Sequence, residues 1–256
     1  MKKFSSLLIR LIKNNFLHFK IRLFKLYKLL KFPILWRFIP SKIMPSFEHL
    51  EALKNIKKIN SLIDCGSNKG QFAILIYAIF RIKNYLSFDP IKFPSKAYKF
   101  FKNKKVKAKH KKIALSHKKS NANFYITERE DSSSLKKIID KSYQFCPDVF
   151  YKKTISVKVE LLDSYINEIS KLPKPLALKI DVQGSEYELL LGAINVLKLV
   201  DFIFIEISFE SLYENTSPSF KIFDILNEVG FKQVNSYNPF VRNGKLLSKD
   251  YLFKKA

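Results

Sequence analysis

The stretch SLIDCGSNKGQ, residues 61–71, sets an acid, two glycines and an asparagine behind a short apolar run. Gly66 and Gly70 are two of only six glycines in 256 residues. Glycine serves a backbone that must turn tightly or come close to another group. The pattern reads as a strand over 61–64, a turn, and a helix over 71–80. Gly66 lets the chain turn off the strand, and Gly70 lets the first helical turn approach a ligand. The free N–H groups of that turn favour an anion or a carboxylate. Asp64 beside them would repel a pyrophosphate, but it suits a ligand carrying an amino group or a sulfonium near its carboxylate. The spacing G-x-x-x-G also departs from the G-x-G-x-x-G of a dinucleotide site.

Working outward, strands and helices alternate. YLSFD (85–89) reads as a strand and 94–101 as a helix. KVKAKHKKIALS (105–116) holds a third strand. LALKIDV (176–182) is a fourth, followed by a helix over about 185–199, and DFIFIEISF (201–209) is a fifth, followed by a helix over 219–229. FKQVNSY and DYLFKK close the chain as an antiparallel pair. Such alternation predicts a doubly wound α/β fold, a mainly parallel sheet covered on both faces. Residues 117–170 interrupt the rhythm with a strand pair, NFYIT and TISVKVE, a Ser-rich turn and a helix starting near Leu162. They read as an insertion at the carboxyl edge of the sheet.

In an open parallel sheet, ligands bind beyond the carboxyl ends of the strands. The second strand ends in SFDP, where Asp89 can accept both hydroxyls of a ribose. An amino-acid group at the first turn and a ribose at the second strand together describe S-adenosylmethionine. The fourth strand carries a charged pair. By alternation Ala177, Lys179 and Asp181 share one face, and Leu178, Ile180 and Val182 the other. Charges are unusual in a strand covered on both sides. If this strand lies between the first and the fifth, then Asp64, Lys179, Asp181 and Glu206 converge at one rim. Asp181 is the first candidate for a general base toward a hydroxyl acceptor, Glu206 the second, and Lys179 the group that orients the base or stabilises charge. The other reading makes Lys179 a structural ion pair and Asp181 a contact to the cofactor's amino group. Rim carboxylates can bind Mg²⁺, but no ligand spacing stands out, and no metal site is assigned. His18, His49, His110 and His117 read as surface residues.

LIDCGSNKGQF, SFDP, KKIALS, DSSSL, LKIDVQGSEYELLLGA and FIEISFESLY follow in this order. Together they resemble the FkbM-like methyltransferases, whose pattern is similar to D-x-G-A-N-x-G, F-E-P, a small A-L motif, a Ser-rich turn, K-x-D-x-E/Q-G-x-E and I-E. The resemblance spans roughly residues 50–235. It implies a seven-stranded Rossmann-like fold, S-adenosyl-L-methionine as cofactor, and O-methyl transfer to a hydroxyl of a sugar in a glycan, glycolipid or related metabolite. It also implies cofactor contacts by Asp64, Gly66, Ser67, Asn68, Gly70, Asp89, Pro90, Ala114 and Asp181. Ser67 stands where the family usually has Ala and Asp89 where it has Glu, and the shorter acid changes the reach to the ribose.

Composition sets the outer bounds. Hydrophobic residues make up 47% and aromatics 14%, enough for a full globular core. Cys65 and Cys146 form no metal-type spacing and no disulfide framework, which points to a reducing compartment. The net charge is +25, which favours acidic partners without choosing among them. No acid occurs before Glu48. Leu8, Ile12, Phe16, Phe19, Leu23, Leu26 and Leu30 form one helical stripe, with Lys3, Arg10, Lys13, Lys20, Lys25, Lys28 and Lys31 opposite. Residues 1–47 are therefore expected to be a basic amphipathic helical extension, and 48–256 the methyltransferase domain. Two readings stand for residues 1–31: a helix on an anionic membrane surface, or a helix docked on its own domain or on a second chain. The expected location is cytoplasmic, with peripheral attachment at the inner face of the membrane under the first reading. Nucleic-acid methylation is a second enzymatic reading, raised by the charge; no N-P-P-Y-type motif follows the fourth strand to support base flipping. A membrane-surface module with a non-catalytic cofactor site is a third.

Overall fold

A computed structural model describes residues 36–38, 41–147 and 149–256 of the chain. The basic helix expected over residues 1–31 lies outside the described residues. After a 3₁₀ turn at Phe47–His49 the elements are α1 (Leu50–Leu53), β1 (Ser61–Cys65), α2 (Gln71–Phe80), β2 (Asn84–Phe88), α3 (Ser95–Asn103), β3 (Lys107–Lys111), β4 (Ala114–Leu115) and β5 (Ser120–Thr127). Then come β6 (Tyr151–Glu160), α4 (Ile166–Ile169), β7 (Leu176–Ile180), α5 (Glu186–Leu191), α6 (Ile194–Leu197), β8 (Phe202–Ser208), α7 (Ser219–Glu228), β9 (Phe231–Arg242) and β10 (Lys245–Lys255).

Seven strands form one sheet in the order β3-β2-β1-β7-β8-β10-β9. The first five are parallel, and β10 runs antiparallel to both of its neighbours. The chain therefore has the mixed α/β, Rossmann-like architecture expected from the strand–helix alternation. β1 and β7 are buried at every position, as central strands with cover on both faces must be. One face carries Leu62, Ala177, Phe204 and Leu252 against α2 and α3, and the other carries Ile63, Leu178, Ile203 and Phe253 against α5, α6 and α7. Phe38, Ile43 and Phe47 pack into the first of these cores, although they precede the boundary at 47/48 read from sequence.

Three sequence expectations are corrected. The segment 105–116 is two strands: β3 pairs with β2 in the large sheet, whereas β4 leaves it and pairs with β6 in a three-stranded sheet. The helix expected over 185–199 breaks into α5 and α6 at Gly192. A side chain at Gly192 would meet the Ser116 carbonyl oxygen at 2.1 Å, so the chain passes as close as only glycine allows. The Asp163 carboxylate then accepts from the N–H groups of Asn195 and Val196 at 3.1 and 2.8 Å and restarts the helix. Finally, the helix near Leu162 is a 3₁₀ turn followed by the single turn of α4.

Candidate active site

β1, β2 and β7 end side by side, and the chain turns between them at Gly66. Its N–H donates to the Phe88 carbonyl at 3.0 Å, while the Asp181 N–H donates to the Cys65 carbonyl at 3.0 Å. Gly66 has φ +81° and lies directly against the Asp181 backbone. Beyond this junction opens a cleft of about 650 Å³, counting its open mouth. Gly66, Asn68, Asp89, Pro90, Ala114 and Asp181 all line it. Its far wall is Phe124, Glu130, Asp131, Ser133 and Leu135, so the insertion shapes the cleft.

Asp64, Ser67 and Gly70 do not line the cleft. Asp64 lies beneath it, 1% exposed, with Oδ2 accepting from the Tyr85 hydroxyl at 3.1 Å. Gly70, at φ +76°, caps α2, and the space of its missing side chain is taken by Ala97 of α3. The close approach it permits is to a helix of its own domain. Asp89 also differs from the expectation. Its Oδ2 accepts from the Asn68 N–H at 2.9 Å, and its Oδ1 from the N–H groups of Ile91 and Lys92 at 2.9 and 2.8 Å. A carboxylate has about four acceptor positions, so Asp89 keeps room for one further donor rather than a pair of hydroxyls.

The sheet register explains the charged cluster. Asp64 sits opposite Lys179, and Glu206 opposite Asp250, on the face that carries α2. The Lys179 ammonium donates to Asp181 Oδ2 at 2.9 Å and stands 3.9 Å from Asp64 Oδ1. Gln183 bridges the remaining acids, with Nε2 2.6 Å from Asp181 Oδ1 and 3.3 Å from Glu206 Oε2. Ser248 donates to Glu206 Oε1 at 2.6 Å. The structure thus brings Asp64, Lys179, Asp181 and Glu206 together.

Burial and charge set their protonation. Burial pushes the Asp64 carboxyl up to about 6 against the pull of Lys179. It also disfavours a charged Asp181, but the Lys179 charge and its hydrogen bond outweigh that and hold Asp181 below the usual carboxylate range. Lys179 is buried too, yet Asp181 and Asp64 raise it above its ordinary value. Burial and the nearby Asp181 charge push Glu206 up.

Beside this cluster, on the α2 face, lies a second space of about 510 Å³, again counting its open side. Its lining includes Lys179, Asp181, Glu206, Asp250, Asn238 and His49, and Asp181 is the one residue it shares with the cleft. His49 is a correction to its surface reading. It is buried under Phe72, its ring edge-on at 4.8 Å, with Nδ1 3.0 Å from the Tyr237 hydroxyl. Burial and Lys179 push its imidazole down to about 3, so it is neutral. His110 is also half-buried and bonded to Ser87 at 2.9 Å, whereas His117 is exposed; His18 lies outside the described residues.

Asp250, Asn238, Gln183 and His49 were missed in the sequence. A signal for Asp250 existed: it stands among Leu247, Tyr251 and Phe253, in a strand otherwise destined for the core. Burial, with Glu206 opposite, pushes its carboxyl up to about 8. The native state therefore holds this proton more tightly than the unfolded chain. The resulting stability is complete below about pH 4 and is lost as pH rises toward 8. Asp250→Asn is accordingly expected to leave the melting temperature unchanged near pH 4.5 and to raise it at pH 9, by a stability of a few kcal/mol at most. Thermal melts at the two pH values check this; equal effects at both would contradict it.

The order of the sheet and the cleft at the carboxyl ends of β1, β2 and β7 define a Rossmann-like α/β domain. The chain belongs to the FkbM methyltransferase family: the model of the methyltransferase FkbM domain matches residues 64–233. It is therefore an S-adenosylmethionine-dependent methyltransferase. Comparison with curated proteins finds no match. Among solved structures, it is similar to a putative tRNA (m1A22) methyltransferase of Streptococcus pneumoniae in complex with S-adenosyl-L-methionine. That likeness has 11% identity, covers 83% of this chain and 74% of that one, and has a TM-score of 0.46. It is also similar to the magnesium protoporphyrin IX methyltransferase of Synechocystis PCC 6803 with bound cofactor, at 10% identity, 81% and 74% coverage and a TM-score of 0.43.

The cleft fits the family's cofactor. Asn68 Oδ1 and Ser185 Oγ are buried without a partner in the protein, and both residues line it. Orphaned polar atoms are rare unless a ligand satisfies them. Among the described residues, no three acids, histidines or cysteines are grouped to hold a metal ion.

Proposed function

We propose that the protein methylates a hydroxyl group of a sugar in a glycan, glycolipid or related metabolite, with Asp181 as the general base. The observation that carries this reading is the position of Asp181. It stands on the wall between the cleft and the second space, its side chain about a third exposed. Asn68, Asp89, Pro90, Ala114 and Ser185 would hold the cofactor, and Gly66 lets the backbone reach it. S-Adenosylmethionine, when bound, supplies a methyl group on a sulfonium, which departs as a neutral thioether. The acceptor oxygen must lose its proton as it gains the methyl group, and Asp181 receives it. An alkylated hydroxyl is so acidic that even a weakly basic carboxylate serves, and Asp181 is held ionised by Lys179. Lys179 fixes Oδ2 and Gln183 fixes Oδ1, so the base has little freedom to turn. The test is transfer of isotope-labelled methyl from S-adenosylmethionine to glycan and lipid extracts, with mass spectrometry of the hydrolysed sugars. Label confined to nucleic acid or to nitrogen would overturn it.

Residues 1–31 support a second element of the proposal, attachment to an anionic membrane carrying a lipid-linked acceptor. No acid offsets their basic residues. Each Lys or Arg near such a surface contributes about 1 kcal/mol, screened by salt. The protein is expected to sediment with anionic vesicles, to bind neutral ones less, and to be released in part by salt. A chain beginning at Trp36 keeps the core residues Phe38, Ile43 and Phe47; it should retain cofactor affinity and lose vesicle binding. A fall in melting temperature or a change in oligomeric state, with no vesicle binding to lose, would instead show that the segment packs on protein. Among the described residues no helix is long and apolar enough to cross a membrane.

A further inference from the structure

The second space has a chemistry of its own. Two polar side chains that line it, Asp250 and His49, are more than nine-tenths buried. Asp250, 8% exposed, accepts from Asn238 Nδ2 at 2.7 Å through Oδ2, which leaves Oδ1 as its second acceptor. His49, also 8% exposed, is bonded to Tyr237 through Nδ1, which leaves Nε2 as its second ring nitrogen. Building such groups into a core is costly unless something satisfies them.

The backbone is shaped to hold them. Ser248 pairs with Phe240 and Asp250 with Tyr237, so β9 bulges by one residue at Asn238–Pro239. Asn238 takes φ +49° there, a conformation that asparagine tolerates better than most residues. Bulges re-aim side chains, and this one turns the Asn238 amide onto Asp250. With Oδ2 occupied by an N–H, a proton on Asp250 belongs on Oδ1.

The charges narrow the ligand class. The groups facing Asp250 are Glu48 and His49 from the first turn, Lys179 and Asp181 from β7, Glu206 from β8, and Tyr237 from β9. Lys179 offsets Asp181, and His49 is neutral. Asp250 and Glu206, directly across the ladder, cannot both ionise cheaply. Burial raises both, Asp250 to about 8, so a proton is retained at neutral pH. A phosphate would meet four acids, and a cation would meet Lys179. A hydroxyl donates and accepts at once, matching a protonated carboxyl beside an ionised one.

We propose that this space is the acceptor chamber and that it takes a neutral molecule with two adjacent hydroxyls, one held by Asp250 and His49, the other presented to Asp181. The proposal rests on the hydroxyl-methylation reading above. It makes Asp250 and Asn238 the residues that select the acceptor.

The test uses the full chain saturated with S-adenosylhomocysteine and ligand-observed saturation-transfer NMR. Methyl α-mannopyranoside and a vicinal cyclohexanediol are the diol probes, cyclohexanol the single-hydroxyl control, and spermidine the cationic one. The diols should receive saturation and the other two should not. Binding should weaken at least about 5-fold between pH 7 and pH 9.5, as Asp250 loses the proton it donates. Asp250→Asn keeps the shape and a donor, so it should bind and lose that pH dependence. Asp250→Leu should abolish diol binding, with S-adenosylhomocysteine affinity unchanged by calorimetry as the check on folding. Diols that fail to bind the wild-type chain, diols that bind Asp250→Leu equally well, or a preference for spermidine that grows with pH would each overturn the proposal. Diol binding through Asp250 with methyl label found only on nitrogen would sink the hydroxyl reading and leave the chamber. Sugar methylation with an unchanged KM in Asp250→Leu would sink the chamber and leave the hydroxyl reading.

Discussion

Asp181→Asn is expected to lower turnover by about 10²–10⁴-fold, the usual size of general-base catalysis, while S-adenosylmethionine affinity stays within a few-fold. The substitution keeps the shape of the side chain. Its amide oxygen can still accept from Lys179, at the cost of the bond from Gln183 Nε2, which keeps Glu206 as its acceptor. Lys179 loses its nearest charge but retains Asp64 at 3.9 Å, so no buried ammonium is left alone. The main change is therefore the loss of a proton acceptor at the wall between the two spaces. The pH profile gives a second readout. Asp181 must be ionised to act, and Lys179 holds it below the usual carboxylate range. The acid limb of kcat in the wild-type enzyme should accordingly fall below that range and disappear in the variant. If cofactor affinity drops instead and turnover per bound cofactor is unchanged, Asp181 is a binding residue and Glu206 becomes the candidate base.

The sheet was legible because its signals are local. β1, β7 and β8 are mainly apolar runs, interrupted by Asp64, Lys179 and Glu206, and each is followed by a helix with its own periodicity. The convergence of Asp64, Lys179, Asp181 and Glu206 was legible as well, since strand alternation and strand order together fix a face and a rim. What escaped depends on pairs distant in sequence. Asp250 lies in the last strand, and only the antiparallel ladder sets it opposite Glu206. Asn238 reaches it through a bulge that no periodicity announces. His49 sits between acid and apolar residues and is buried by Phe72 and Tyr237, neither near it in the chain. Asp89 shows the converse. Its place was legible, but the three N–H groups that occupy it are a property of the folded loop.

Gly66→Ala is expected to be the most damaging of the small substitutions at this site. Three glycines with positive φ separate the causes. At Gly244, φ is +73° and nothing lies within 4 Å of an added Cβ, so alanine meets only the backbone penalty, about 1–2 kcal/mol. At Gly70, φ is +76° and the Cβ would meet the Ala97 methyl at 2.8 Å, which a small shift of α3 relieves. At Gly66 the Cβ would fall 1.8 Å from the Asp181 carbonyl oxygen and 2.8 Å from its carbon. That obstacle is backbone in the central strand pair, and no rotamer can remove it. The ends of β1 and β7 must part, breaking the Asp181 N–H bond to Cys65 and carrying Asp181 away from Lys179 and Gln183. Overpacking of this kind costs about 1–3 kcal/mol or more beyond the conformational penalty. In a chain of this size each kcal/mol lowers the melting temperature by about 2–4 °C. Gly66→Ala should thus melt well below Gly244→Ala. Calorimetry should show cofactor affinity reduced at least about 100-fold, because both the turn and Asp181 move. A Gly66→Ala protein that melts with Gly244→Ala and binds S-adenosylmethionine normally would show that the turn does not press on Asp181, and the cleft would have to be built another way.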